Sequence, residues 1–267
     1  MDASSKNQML SDLEELCSRN NHGRSDFIRS RIRKLGLDFT DDHGEINGVK
    51  YTNIIINLGG NNTSPHLFLT GHYDRVKKSQ GALDNGAAVV ELLDFLKRWN
   101  RDPAVDVTVI FFDKEEGGMR GSTGYLQHHF PWPDAVYNFD VVGRGEYIVI
   151  YDSTLDSGRA GVNCSAKLNN RIKKSCQKLG LPTVMFKEGG GSDHLPFLQW
   201  GIPATAISTY PNSEIFQYLY AGVKALNLPT LRTINGPEDK IELIEPSTMV
   251  NVRNLMLNLV DSYIKPL

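Results

Sequence analysis

The sequence predicts an α/β fold built on a largely parallel sheet, and three observations carry that prediction. First, β-rich apolar runs alternate with amphipathic helical patterns along the whole chain. Second, the six residues Val107 to Phe112 are apolar or β-branched without a break. That pattern suits a strand covered on both faces, although a run this short does not exclude a helix. Third, the 267 residues are 40% hydrophobic and 22% charged, enough for a real core. No internal repeat or low-complexity linker divides them, so a single domain over 1–267 is expected.

Taken in order, Met9, Leu10, Leu13, Leu16 and Cys17 recur at helical spacing, which predicts a helix over residues 6–20. Ser25-Asp26 would cap a second helix reaching Leu35 and ending at Gly36. His22 and His43 fall in polar stretches read as loops and receive no role. Tyr51 to Leu58 reads as a strand closed by the turn signal GGNN, and His66 to Thr70 as another, followed directly by Gly71-His72-Tyr73-Asp74. Gly81 to Gly86 opens a helix with Val89, Val90, Leu93, Leu96 and Trp99 on its apolar face. After the strand Val107 to Phe112 come a helix from Ser122 to His129, a strand from Ala135 to Phe139 and another from Tyr147 to Tyr151. Ser165 to Leu179 is an amphipathic helix whose basic outer face reads as solvated. A strand at Pro203 to Ser208, a helix around Ser213 to Leu226 and a last helix starting near Pro246 complete the chain.

Composition narrows the class. A net charge of −2 points to neither nucleic acid nor an anionic membrane surface, and no run approaches membrane-spanning length. Cys17, Cys164 and Cys176 are odd in number, scattered and without metal-knuckle spacing. Reduced thiols and a cytoplasmic location are the expectation. The N-terminus, MDASSKNQMLSDLEEL, lacks the basic and apolar regions of a signal peptide. A chain already trimmed of a leader would read the same.

Three apolar strands end in possible metal ligands: HLFLT in His72, VTVIFF in Glu115 and Glu116, and AVYNF in Asp140. Asp84 begins a helix. The carboxyl edge of an open α/β sheet is where ligands bind, and one imidazole with several carboxylates suits divalent zinc, manganese or cobalt. Each residue also has an ordinary reading. His72 alone could be a hydrogen-bonded loop histidine, Asp74 an exposed acid or a partner orienting the His72 ring, Asp84 a helix N-cap and Asp140 a turn cap. Their co-occurrence in this order favours the site.

On TGHYDRV, GALDNGAAVVELL, VIFFDKEEGGMRGS, NFDVVGRG, GGGSDHLPFLQWGIPA and NGPEDKIELI, the chain resembles the co-catalytic zinc aminopeptidases, whose relatives include carboxypeptidases and glutaminyl cyclases. The matching stretches span residues 70 to 244 in family order. The resemblance implies a three-layer α/β fold of zinc-exopeptidase, phosphorylase/hydrolase-like type, with helices on both faces of a mostly parallel mixed sheet. It implies that His72 and Asp140 hold one metal, that Asp84 bridges two and that Glu116 holds the second. It makes Glu115 the general base, sets Asp74 behind His72, and puts Ser192, Asp193 and His194 near the substrate.

One departure stands out. The family's last ligand is a histidine, and here that position is Asn235, in NGPEDK. An amide oxygen is a poor substitute for imidazole at zinc. An atypical second metal, a single metal, or a pocket without hydrolysis would each be consistent with this. The resulting expectation is a metal-dependent exopeptidase, an aminopeptidase acting on peptide or aminoacyl substrates, with one or two divalent ions, zinc first. The rival readings are a pseudopeptidase that only binds, and a single-metal glutaminyl cyclase.

Overall fold

The computed structural model of the chain describes residues 3–59, 64–156, 159–222 and 224–265. Two helices, α1 (Ala3–Cys17) and α2 (Asn21–Lys34), precede a hairpin of β1 (Thr40–Ile46) and β2 (Val49–Asn57). Then follow β3 (His66–His72), α3 (Ala87–Arg98), β4 (Asp106–Phe112), α4 (Arg120–His128) and β5 (Ala135–Phe139). The second half comprises β6 (Tyr147–Asp156), β7 (Arg159–Asn163), α5 (Ala166–Leu179), β8 (Thr183–Gly189), α6 (His194–Gln199) and β9 (Ala204–Tyr210). It closes with α7 (Asn212–Tyr220), α8 (Pro229–Thr233) and α9 (Pro246–Ile264).

All the strands join one sheet, in the order β1-β2-β4-β3-β5-β9-β6-β7, with β8 also paired to β6. Its centre, β4-β3-β5-β9, is parallel. The flanks are mixed: β2 runs antiparallel to β4, and β6 antiparallel to β9. The sheet is therefore α/β and mixed with a parallel heart.

Side-chain alternation explains the three layers. Leu67, Leu69, Val107, Val109, Phe111, Tyr137 and Phe139 join one core with α1, α2, α3, α5 and α9. Phe68, Ile110, Phe112 and Val136 face the other way, into a core shared with Tyr125, Leu126 and Phe197 of α4 and α6. A strand covered on both faces has no reason to carry polar residues, which accounts for the unbroken run at Val107 to Phe112.

Several expectations need correction. Helix α2 starts at Asn21, capped by the Asn20 side chain, which accepts from the Gly23 amide at 2.9 Å. Ser25 is buried inside the helix, and its hydroxyl donates to the His22 carbonyl. His22 thus lies on α2, and His43 on β1, 3.0 Å from the Thr52 hydroxyl. Strand β1 escapes sequence reading because TDDHGEI is an exposed edge strand with almost no apolar side chain. Asn47 and Gly48, at φ 51° and 76°, make its tight turn into β2. Strand β7 (RAGVN) is short with few apolar side chains, and β8 (TVMFKEG) offers an apolar run of only three residues, too short to read as a strand. The helix expected around Ser213 to Leu226 is α7, which ends at Tyr220. Gly60 to Asn62 of the GGNN turn lie outside the described residues. Among the described residues no helix is long and apolar enough to cross a membrane, and all three cysteines are free and buried.

One buried charge tests the layer between α3 and α9. Glu91 is fully buried and neither carboxyl oxygen has a hydrogen-bond partner. Burial drives its pKa well up, against the pull of Arg253. A carboxyl raised in the folded state holds a proton that the unfolded chain has released. Its contribution to stability is therefore complete below the unfolded value, about 4.3, and is lost as pH rises through the folded one. Glu91→Gln is expected to flatten the fall of Tm with pH above that point, as read by thermal melts from pH 5 to 9.

Candidate metal centre

The carboxyl ends of β3 and β5 bring the first candidate ligands together. Thr70 pairs with Asn138 in register, so His72 and Asp140, each two residues on, emerge side by side. His72 is fully buried. Its Nδ1–H donates to the Asp74 backbone carbonyl at 3.1 Å, which leaves Nε2 facing inward. Nε2 lies 3.0 Å from Asp84 Oδ1 and 3.4 Å from Asp140 Oδ1. Among the described residues, these three offer ligand atoms within 4.8 Å of one another.

The third member arrives on an irregular turn. Asp84 sits at φ −122°, ψ 85° in the wide turn Ala82–Gly86, with a cis bond to Asn85. It is not the cap of α3, whose N-cap is Gly86 with no side-chain hydrogen bond. Gly86 itself is required, because a Cβ there would meet the Gly81 carbonyl oxygen at 2.6 Å. The turn is held from both sides. The buried Arg24 of α2 donates to the carbonyls of Gln80 and Gly81. The Asp239 carboxylate accepts from the amides of Ala82 (3.1 Å), Leu83 (2.7 Å) and Asp84 (3.3 Å) and from the Ser79 hydroxyl. Asn85 ties the turn to the Phe139 carbonyl at 2.8 Å.

Asp74 does more than orient His72. Its carboxylate accepts from the amides of Glu115 (3.0 Å) and Glu116 (3.3 Å). It lies 3.5 Å from His72 Nδ1, which bonds the Asp74 backbone carbonyl instead. Asp74 therefore fixes the two glutamates as well as the histidine. Three non-glycine residues beside the site have positive φ: Lys114 (59°), Val141 (55°) and Asn235 (61°). For β-branched Val141, next to Asp140, this conformation costs about 1–3 kcal/mol.

On the far wall, Ser122 donates to Asp193 at 2.6 Å, and a buried chain runs from Thr70 through Asn138 to Ser192. His194 is fully buried with both ring nitrogens unpartnered. Asn235 is drawn to the same region: its side-chain amide lies 2.7 and 2.8 Å from the two Glu116 carboxylate oxygens, and it donates to both with its nitrogen assigned to that side.

The electrostatics follow from crowding acids in a buried cleft. Burial opposes a charge on His72, but the surrounding carboxylates of Asp140, Asp74 and Asp84 carry its pKa well above the ordinary imidazole value. Burial raises Asp84, whereas His72 outweighs burial at Asp140 and lowers it. Burial, with Asp140, Asp193 and Asp84 adding to it, pushes Glu115 well up. Burial and the neighbouring Asp84 push Glu116 up to about 8. Burial takes Asp193 up to about 7 and His194 down to about 4, so His194 is neutral at pH 7.

These residues fit a divalent cation. His72 Nε2 and Asp140 Oδ1 are buried without a hydrogen bond, and one imidazole with two carboxylates is a donor set for zinc. The sequence reading passes over Asp239, Arg24, Ser122 and Asn138. Asp239, Ser122 and Asn138 each lie in a stretch quoted for the resemblance, whereas Arg24 carries no such signal.

The profile of peptidase family M28 matches residues 53–260. Aminopeptidase YwaD of Bacillus subtilis is 28% identical over 207 residues, covering 74% of this chain and 41% of that protein. The chain thus spans less than half the length of this curated relative. Among solved structures, glutaminyl cyclase of Porphyromonas gingivalis superposes with a TM-score of 0.73 at 18% identity, covering 96% of this chain and 98% of the other. BSAP, a zinc aminopeptidase from Bacillus subtilis, gives 0.63 at 22% identity, covering 80% and 50%.

Two outcomes follow from this geometry. Asp239→Ala leaves three backbone amides without their acceptor, at about 1–3 kcal/mol for each that stays buried. Tm is expected to fall by several degrees and zinc affinity with it, read by calorimetry on one sample. A cation must also displace the proton that the carboxylates hold on His72, so zinc affinity is expected to rise with pH through the raised His72 pKa. Titrations across pH 5 to 9 check the sign.

Proposed function

Given that the chain belongs to peptidase family M28, we propose that it is a metal-dependent exopeptidase that removes N-terminal residues from peptides. The observation carrying this reading is the pair of buried, unbonded ligand atoms, His72 Nε2 and Asp140 Oδ1, beside Asp84. When bound, a divalent cation such as zinc supplies a Lewis acid that eases deprotonation of water and polarises a carbonyl.

The protein groups divide the remaining work. His72, Asp84 and Asp140 hold the cation. Glu115, on the backbone fixed by Asp74, takes the proton of the attacking water at a carboxylate oxygen and delivers it to the nitrogen of the leaving amine. Its burial keeps the carboxyl basic enough for that exchange. Neutral His194 donates a hydrogen bond to the oxygen of the scissile carbonyl, and Asp193 and Ser122 steady its segment. Carboxylates beyond those the cation neutralises attract a cationic N-terminus, which restricts cleavage to one end of the peptide.

Asn235 in place of histidine supports a second reading, a protein that binds peptides without cutting them. Glu115→Gln separates the two. Under the first, aminoacyl-amide hydrolysis is measurable and falls by about 10²–10⁴-fold in the variant, with zinc content unchanged. Undetectable hydrolysis by the zinc-loaded parent would favour the second. Release of ammonia from N-terminal glutamine peptides would point to cyclase chemistry instead.

A further inference from the structure

Building on the reading that His72, Asp84 and Asp140 hold a divalent cation, we infer that this centre is mononuclear. The Asn235 amide and the Glu116 carboxylate bind each other and thereby close the position that a second cation would need. The Asn235 side-chain amide lies 2.7 and 2.8 Å from the two Glu116 oxygens. Its nitrogen is assigned to that side from the hydrogen-bond network, because the opposite assignment sets an amide oxygen against two carboxylate oxygens. So placed, Asn235 presents donors, not a lone pair, to the place where a cation would sit. Glu116 spends both oxygens on those donors.

The loop gives Asn235 little room to turn away. Its φ of 61° is a left-handed conformation that asparagine adopts more readily than most residues. Four residues on, Asp239 is anchored to the amides of Ala82, Leu83 and Asp84. The loop bearing Asn235 is thus clamped to the turn bearing Asp84. Among the described residues, the group with ligand atoms in mutual reach contains His72, Asp84 and Asp140, without Glu116. Donor chemistry agrees, since turning the amide over would offer only a neutral oxygen, a poor zinc ligand. Asp84 then serves one ion and bridges nothing.

The test is a metal count on the whole chain, stripped with chelator, reloaded with zinc or with cobalt, and freed of excess ion. Elemental analysis and calorimetric titration are the readouts, with circular dichroism to confirm folding. One tight equivalent is expected for the parent, none for His72→Asn and one for Glu116→Gln. Asn235→His is expected to bind two, because histidine also tolerates left-handed φ and supplies an imidazole. Two tight equivalents in the parent would overturn the inference while leaving the metal-dependent reading intact. A single equivalent that survives His72→Asn and is lost in Glu116→Gln would also overturn it. So would a folded Asn235→His that still binds one. No binding by the parent would overturn the metal-dependent reading as well.

Discussion

A buried imidazole with two carboxylates within 3.0 and 3.4 Å of its Nε2 is the constraint on which the rest of the structure depends. Like charges this close repel, and burial removes the water that would screen them. Nothing in packing alone would assemble Asp74, Asp84, Asp140, Glu115, Glu116 and Asp193 around one histidine. The fold holds them there with hydrogen bonds. Asp74 grips the Glu115 and Glu116 amides, Asp239 grips three amides of the Asp84 turn, and Arg24 grips the carbonyls before it. Burial among like charges pushes the carboxyls of Glu115, Glu116 and Asp193 up towards their neutral forms. A divalent cation is the simplest group that relieves this crowding.

The sheet supplies the geometry at little cost. Parallel pairing of β3 with β4 and β5 aligns their carboxyl ends, so residues that follow these strands meet at one edge. The cores on the two faces of the sheet are largely apolar, and the polar side chains gather towards the carboxyl ends of β3 and β5, where Thr70, His72 and Asn138 are buried. That separation lets the loops at Val141 and Asn235 adopt left-handed conformations that would be unfavourable elsewhere.

Much of this is legible in the chain. Val107 to Phe112 reads as a strand covered on both faces because only apolar side chains fit there. His72 and Asp140 read as ligands because each ends such a strand. Strands β1 and β7 do not read, since they leave no apolar alternation to find, and the apolar run of β8 is only three residues long. The start of α2 is missed because Ser25 looks like a cap, although Asn20 does that work. Asp239 and Arg24 are missed for a deeper reason. Their partners are backbone groups brought near by folding, and no side-chain pattern announces a backbone partner. The contact between Asn235 and Glu116 joins residues far apart in sequence. The sequence shows that a histidine is lacking, but not what its replacement touches.

The most direct measurement is anomalous diffraction at the zinc edge from crystals of the zinc-loaded protein. The account predicts a strong peak about 2.0–2.2 Å from His72 Nε2 and from carboxylate oxygens of Asp84 and Asp140. A map without a peak between those three side chains, or with zinc bound elsewhere, would contradict it.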